Sequence, residues 1–125
     1  MQPSPCKRPV VLIVEDEYLV RTGTGAALEM AGFDVLEAGD ADEAIAILAA
    51  RNDVSLIFTD VHMPGSMDGL KLAHFVRNRW PPVKIVATSA RVRITASDLP
   101  EGGRFLPKPY SAGEITTTLH ELIDG

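Results

Sequence analysis

The chain has 125 residues, 46% of them hydrophobic. A domain of that size buries roughly two-thirds of the surface its unfolded chain exposes, so it needs no metal or disulfide staple. A single cysteine, Cys6, excludes an intramolecular disulfide framework and fits a reducing, cytoplasmic compartment. With 17 acidic against 12 basic residues, the net charge of −5 argues against a domain that coats nucleic acid or an anionic membrane.

Residues 1–8 hold Pro3 and Pro5 without hydrophobic periodicity and read as a disordered arm, leaving one domain over 9–125. Val10–Val14 is a continuous β-branched run, the pattern of a strand buried on both faces of a parallel sheet. A helix is expected over 18–31, with Leu19, Gly23, Ala26 and Met30 at helical spacing and Gly32 placed to end it. A second strand covers 33–38. Asp40, with Glu43 three residues on, then caps a helix that carries Ala44, Ile45 and Leu48 on one face. A third strand over 54–59 runs into Asp60. Asp68 caps the next helix, which Pro81-Pro82 must stop.

A fourth strand covers 83–87. The stretch 91–103, with Pro100, Gly102 and Gly103, is weakly patterned and supports a short helix at most. A short fifth strand over 104–106 precedes a capping box, Ser111-Ala-Gly-Glu114, with Ile115, Leu119 and Leu122 at i, i+4, i+7 behind it. Strands alternating with helices imply right-handed crossovers and a parallel sheet covered on both faces. The expected fold is α/β, a doubly wound five-stranded parallel sheet of flavodoxin-like order 2-1-3-4-5.

The polar residues then fall in one place. Glu15 and Asp16 end the first strand, Asp60 the third, and Ser89 and Lys108 follow the fourth and fifth. In an open parallel sheet the ligand crevice lies beyond the carboxyl ends of the strands, where strand order reverses, here between strands one and three. Three carboxylates crowded there repel one another unless a cation compensates. Charges of −3, +2 and +1 sum to zero if a divalent ion joins the lysine. Mg²⁺ suits the position because it takes one or two carboxylates, keeps waters and accepts a phosphoryl oxygen. An aspartate in such a site is a nucleophile toward phosphorus.

Four segments carry a resemblance: Val11-Leu-Ile-Val-Glu15-Asp16-Glu17, Asp60-Val-His-Met-Pro64-Gly, Thr88-Ser89-Ala90 and Phe105-Leu-Pro-Lys108-Pro109. In that order the sequence resembles the receiver domain of bacterial response regulators, of the single-domain, chemotaxis-regulator-like kind. The resemblance implies that Asp60 is the phosphoacceptor and that Mg²⁺ is held by Glu15, Asp16, Asp60 and the His62 backbone carbonyl. Ser89 and Lys108 would bind the phosphoryl group, Ser89 and Phe105 would switch with it, and Lys108–Pro109 would be a cis peptide. His62 and Arg91, each two residues beyond a site residue, would set the phosphoryl lifetime.

The implied partners are a sensor histidine kinase or phosphotransfer protein and a downstream protein, with a homodimer as a further option and no membrane or direct nucleic-acid contact. The responsive surface would comprise residues 91–103, strand five and the last helix. Such a domain is a switch, not an enzyme with an external substrate. Glu15 stands where aspartate is more frequent, and the loop after Pro64 looks one residue long. Two alternatives remain at this point. A haloacid-dehalogenase-type Mg²⁺-dependent phosphatase would want a second aspartate where His62 stands. A constitutive pseudo-receiver would have lost site positions that are filled here.

Overall fold

The computed structural model describes residues 8–62, 67–90 and 95–124. Strands β1 (Val10–Val14), β2 (Asp34–Ala38), β3 (Val54–Asp60), β4 (Lys84–Ser89) and β5 (Arg104–Pro107) form one sheet in the order β2-β1-β3-β4-β5, every pairing parallel. Helices α1 (Tyr18–Met30), α2 (Ala41–Ala50), α3 (Gly69–Arg79) and α4 (Ala112–Asp124) cover its two faces. The connection between β4 and β5 carries one 3₁₀ turn, Ala96–Asp98, in agreement with its weak periodicity.

Alternation along each strand separates two cores. Leu12, Val14, Ile57 and Ile85 face α2 and α3, packing on Ala44, Leu48, Leu72 and Val76. Val11, Ile13, Leu56, Phe58 and Val86 face the other way, onto Leu28, Ile115 and Leu119. All five residues of β1 are buried, as its unbroken apolar run requires of a central parallel strand.

The helix signals behave as their chemistry dictates. Asp40 accepts from the Glu43 amide at 2.8 Å and Asp68 from the Lys71 amide at 2.9 Å. Ser111 and Glu114 close a reciprocal box at 2.8 and 3.0 Å. Gly32 sits at φ +104, a left-handed conformation open to glycine, and turns the chain from α1 into β2.

Two expectations need correction. The stripe Leu19, Gly23, Ala26, Met30 does not face the sheet: Leu19 is 81% and Met30 91% exposed, whereas Thr24, Gly25 and Leu28 are buried. Gly25 packs close to β1 and β2, where a Cβ would make ordinary van der Waals contact with Val35, Glu37 and Ile13. The second correction concerns Arg8, which is not part of a free arm. Its guanidinium donates to the Glu29 and Phe33 carbonyls, both at 2.8 Å, and pairs with Asp34. The remainder of the expected arm, residues 1–7, lies outside the described residues, as do residues 64–66 of the long loop.

Candidate functional site

The carboxyl ends of β1, β3 and β5 carry the charged groups, and the backbone is fixed at each in turn. At the end of β1, the Glu15 amide donates to the Ala38 carbonyl at 3.0 Å, and its own carbonyl accepts from Arg21 Nη1 at 2.8 Å. At the end of β3, the Val61 amide donates to the Thr88 carbonyl and the Val61 carbonyl accepts from the Gly69 amide, both at 2.9 Å. Gly69 lies so close that a Cβ there would overlap the Asp60 carbonyl. Past β5, the Lys108 amide donates to the Ser89 carbonyl at 3.1 Å.

These anchors bring the side chains together. One ligand atom each from Glu15, Asp16 and Asp60 fall within 4.8 Å of one another. Lys108 Nζ lies between two of them, 3.0 Å from Glu15 Oε1 and 2.9 Å from Asp60 Oδ2. Glu15 and Asp60 are buried and Asp16 is exposed. The His62 amide donates to Asp60 Oδ1 at 3.1 Å, and the Glu17 amide to Glu15 Oε2 at 3.1 Å. The Lys108–Pro109 peptide is cis, as the resemblance implies.

Burial raises the Glu15 carboxyl above its ordinary value, and the Asp60 charge adds to the rise. Hydrogen bonds from the Glu17 amide and Lys108 work the other way without cancelling it. Burial also opposes the charge on Lys108, but hydrogen bonds and attraction from Asp60 and Glu15 outweigh it, so the ammonium is held more firmly than usual. Three carboxylates and one ammonium leave a formal excess of two negative charges. The donor set is all oxygen, open to solvent on the Asp16 side, which fits a hard divalent cation that keeps several waters.

The acid cluster forms one wall of a cavity of about 720 Å³. The same cavity is lined by apolar and hydroxyl groups: Leu19, Val20, Gly23 and Thr24 of α1, with Pro109 and Tyr110. Sequence reading missed these lining residues. Tyr110, half-buried, bonds through its hydroxyl to Thr24 Oγ1 at 2.9 Å and meets Phe58 edge to face. Its position two residues past Lys108 was a usable signal, whereas Thr24, two turns into α1, gave none.

Of the other expected residues, Ser89 is the buried last residue of β4 and Phe105 is half-buried against Val61, Ala87 and Leu99. His62 is exposed at the cavity edge. Arg91 lies outside the described residues.

A parallel sheet of this order carries an acidic, lysine-bridged pocket at its switch point, where proteins of this architecture bind their ligands. The family model of the response regulator receiver domain matches residues 11–120, and the chain belongs to that family. It is 36% identical over 118 residues to the sensor kinase CckA of Brucella abortus (strain 2308), an alignment that covers 91% of this chain and 12% of that protein. The crystal structure of the receiver domain from the hybrid histidine kinase CckA superposes with a TM-score of 0.79 at 30% identity, covering 91% of this chain and 98% of that one. A response regulator receiver protein from Sinorhizobium medicae WSM419 gives 0.88 at 23% identity over 97% and 98%, a likeness of fold.

The chain spans from 12% to 48% of the lengths of the curated relatives it matches most strongly. Receiver domains are phosphoacceptor switches that generally bind Mg²⁺ at an acidic pocket, and the Glu15, Asp16, Asp60 grouping is consistent with one here. The phosphatase alternative is set aside by the family assignment. Among the described residues no helix is long and apolar enough to cross a membrane.

Proposed function

We propose that Asp60 is the phosphoacceptor of a two-component phosphorelay, charged by a sensor histidine kinase, a phosphotransfer protein or a small acyl phosphate. The observation that carries this reading is Lys108 Nζ bridging Glu15 and Asp60 beside a third carboxylate, Asp16. Glu15, Asp16, Asp60 and the His62 backbone carbonyl would hold Mg²⁺. When bound, the cation neutralises the carboxylates and stabilises charge on the oxygens of the transferring group.

The steps that belong to the chain's own residues follow from position. An Asp60 carboxylate oxygen attacks phosphorus, and the bond from phosphorus to the donor's nitrogen or oxygen breaks with its electron pair. Lys108 Nζ, already 2.9 Å from Asp60 Oδ2, turns toward the new phosphoryl oxygens. Ser89, on the same rim, donates its hydroxyl to them, and Phe105, packed against Val61 and Leu99, shifts in response. In this reading the domain catalyses only its own phosphorylation and dephosphorylation, with His62 and Arg91 governing access of water to the phosphoryl group.

The readout surface comprises residues 91–103, of which 91–94 lie outside the described residues, with β5 and α4. The donor's side is α1, where Tyr18, Leu19 and Met30 are exposed and Leu19 also lines the cavity, an apolar approach for a protein that presents a phosphohistidine. A cytoplasmic location suits such a donor.

The test is incubation with Mg²⁺ and acetyl phosphate followed by mass spectrometry. One alkali-labile phosphoryl group is expected on Asp60, lost with EDTA and lost in Asp60→Asn. Labelling at another residue, or labelling indifferent to the metal, would remove Asp60 from this role.

A further inference from the structure

Thr24 lies on the face of α1 that packs on the sheet, between apolar and small neighbours, and is 9% exposed. A hydroxyl buried there is unfavourable unless bonded, and its partner is the Tyr110 hydroxyl at 2.9 Å. Tyr110 in turn belongs to the short segment that carries Lys108. That segment is held at its start by the Lys108 amide on the Ser89 carbonyl. Pro109, next along, is exposed and has no amide hydrogen to donate. The next anchor is Tyr110 itself, its ring edge-on to Phe58 with centroids 5.5 Å apart and its hydroxyl on α1.

The lysine side chain is long and flexible, so where its ammonium reaches depends on where this backbone is fixed. The backbone at Glu15, and at Val61 next to Asp60, is fixed independently, by bonds to Ala38, Arg21, Thr88 and Gly69 that do not involve Tyr110. We propose that the Thr24–Tyr110 hydroxyl bond positions Lys108 for phosphoryl transfer, making Tyr110 a positioning residue that acts through the lysine. This rests on the reading of Lys108 as the phosphoryl-binding cation given above. It separates two properties that a general disturbance of the site would move together: the transfer step depends on the hydroxyl pair, and cation binding by the carboxylates does not.

The experiment uses the full chain and four variants: Tyr110→Phe, which keeps the ring on Phe58, Thr24→Val, Thr24→Ser and the double variant Thr24→Val/Tyr110→Phe. Asp60 labelling by acetyl phosphate is timed at saturating Mg²⁺, and Mg²⁺ affinity is measured by calorimetry without a phosphodonor. Tyr110→Phe and Thr24→Val should each slow labelling by about three- to tenfold, the size one neutral hydrogen bond carries. Their Mg²⁺ affinity should stay within about twofold of wild type, a difference worth less than that bond.

The double variant should be no slower than either single one, and Thr24→Ser should restore the wild-type rate. Wild-type labelling rates in Tyr110→Phe, fully additive losses in the double variant, or a matching loss of Mg²⁺ affinity would each overturn the assignment. If wild-type protein itself takes no label on Asp60, it is the receiver chemistry that fails. If wild type is labelled and the variants match it, only the positioning role falls.

Discussion

The carboxyl rim of the sheet divides into two halves built on opposite principles. Under β1 and β3, Glu15 and Asp60 are buried and the backbone beside them is tied down: Glu15 between Ala38 and Arg21, and Val61, next to Asp60, between Thr88 and Gly69. Beyond β4, the connection is held by exposed polar bonds around Thr95 and Asp98, by the His74 ring against the Asp98 carbonyl at 3.0 Å, and by one buried leucine, Leu99. The first half preserves a geometry, because a cation and a phosphoryl group tolerate little misplacement. The second rests, among its described residues, on exposed hydrogen bonds and little buried apolar surface, the profile of a segment that opens at lower cost. They meet at Val61, whose amide is bonded to β4 and whose side chain shares a cluster with Ala87, Leu99 and Phe105.

The sharpest way to break the contrast is to disturb the rigid half through its backbone. Gly69→Ala places a methyl group where the Asp60 carbonyl already lies, and no flexible side chain can yield. The start of α3 or the end of β3 must move. The expected cost is up to about 3 kcal/mol of stability, as for overpacking against an unyielding neighbour. Asp60 labelling should fall at least tenfold, since about 1.4 kcal/mol of misplacement is enough. Chemical denaturation and the labelling assay read both. A Gly69→Ala protein of wild-type stability would mean that Asp60 is held less tightly than its contacts state.

A smaller effect comes from the charge trapped in that half. Burial, with help from Asp60, raises the Glu15 carboxyl above the ordinary 4.5. The folded chain therefore keeps a proton that the unfolded chain releases, and stability must decline as pH climbs from 4.5 toward the raised value. Other carboxylates contribute their own slopes, so the informative quantity is the difference between wild type and Glu15→Gln. In metal-free buffer the wild type should lose ground against Glu15→Gln as pH rises through that window. With Mg²⁺ present the loss should shrink, because the cation then stabilises the ionised carboxylate. Thermal melts across a pH series, with and without Mg²⁺, decide it, and a gain for the wild type would contradict the burial argument.

The rigid half was legible in the sequence for a physical reason. Strand-end carboxylates and a lysine at the ends of apolar runs must converge once the sheet is parallel; alternation implies that sheet, and the short five-stranded chain points to the flavodoxin-like order. Gly69 was not legible, since its need arises from two backbones approaching in space, and neither was the Thr24–Tyr110 bond, which joins residues 86 positions apart. On α1 the spacing located the helix without giving its inner face. Leu19, Gly23, Ala26 and Met30 make a regular stripe, but Leu19 and Met30 are exposed, and the buried residues are Thr24, Gly25 and Leu28. Hydrophobic spacing locates a helix more surely than it says which face is inside.

The smallest expected effect lies in the pliant half and tests whether the two halves are separable. Asp98 Oδ2 accepts from the Thr95 amide at 2.9 Å and from Thr95 Oγ1 at 3.1 Å, while the Asp98 amide donates back to the Thr95 carbonyl at 3.0 Å. This closes the one turn of the connection much as a capping residue closes a helix, a contribution of about 1 kcal/mol. Because these groups are exposed, water replaces the carboxylate in Asp98→Ala, and global stability should drop by no more than that. Amide exchange at Thr95 and Asp98 should quicken, whereas exchange in β3 and the rate of Asp60 labelling should not change. Within the described residues 95–103, Leu99 packs in the cluster of Val61 and Ala87, an apolar contact that the substitution leaves in place. If Asp98→Ala slows labelling as well, the polar turn is coupled to the acid cluster by more than that contact, and the rim is one cooperative unit rather than a fixed half and a mobile one.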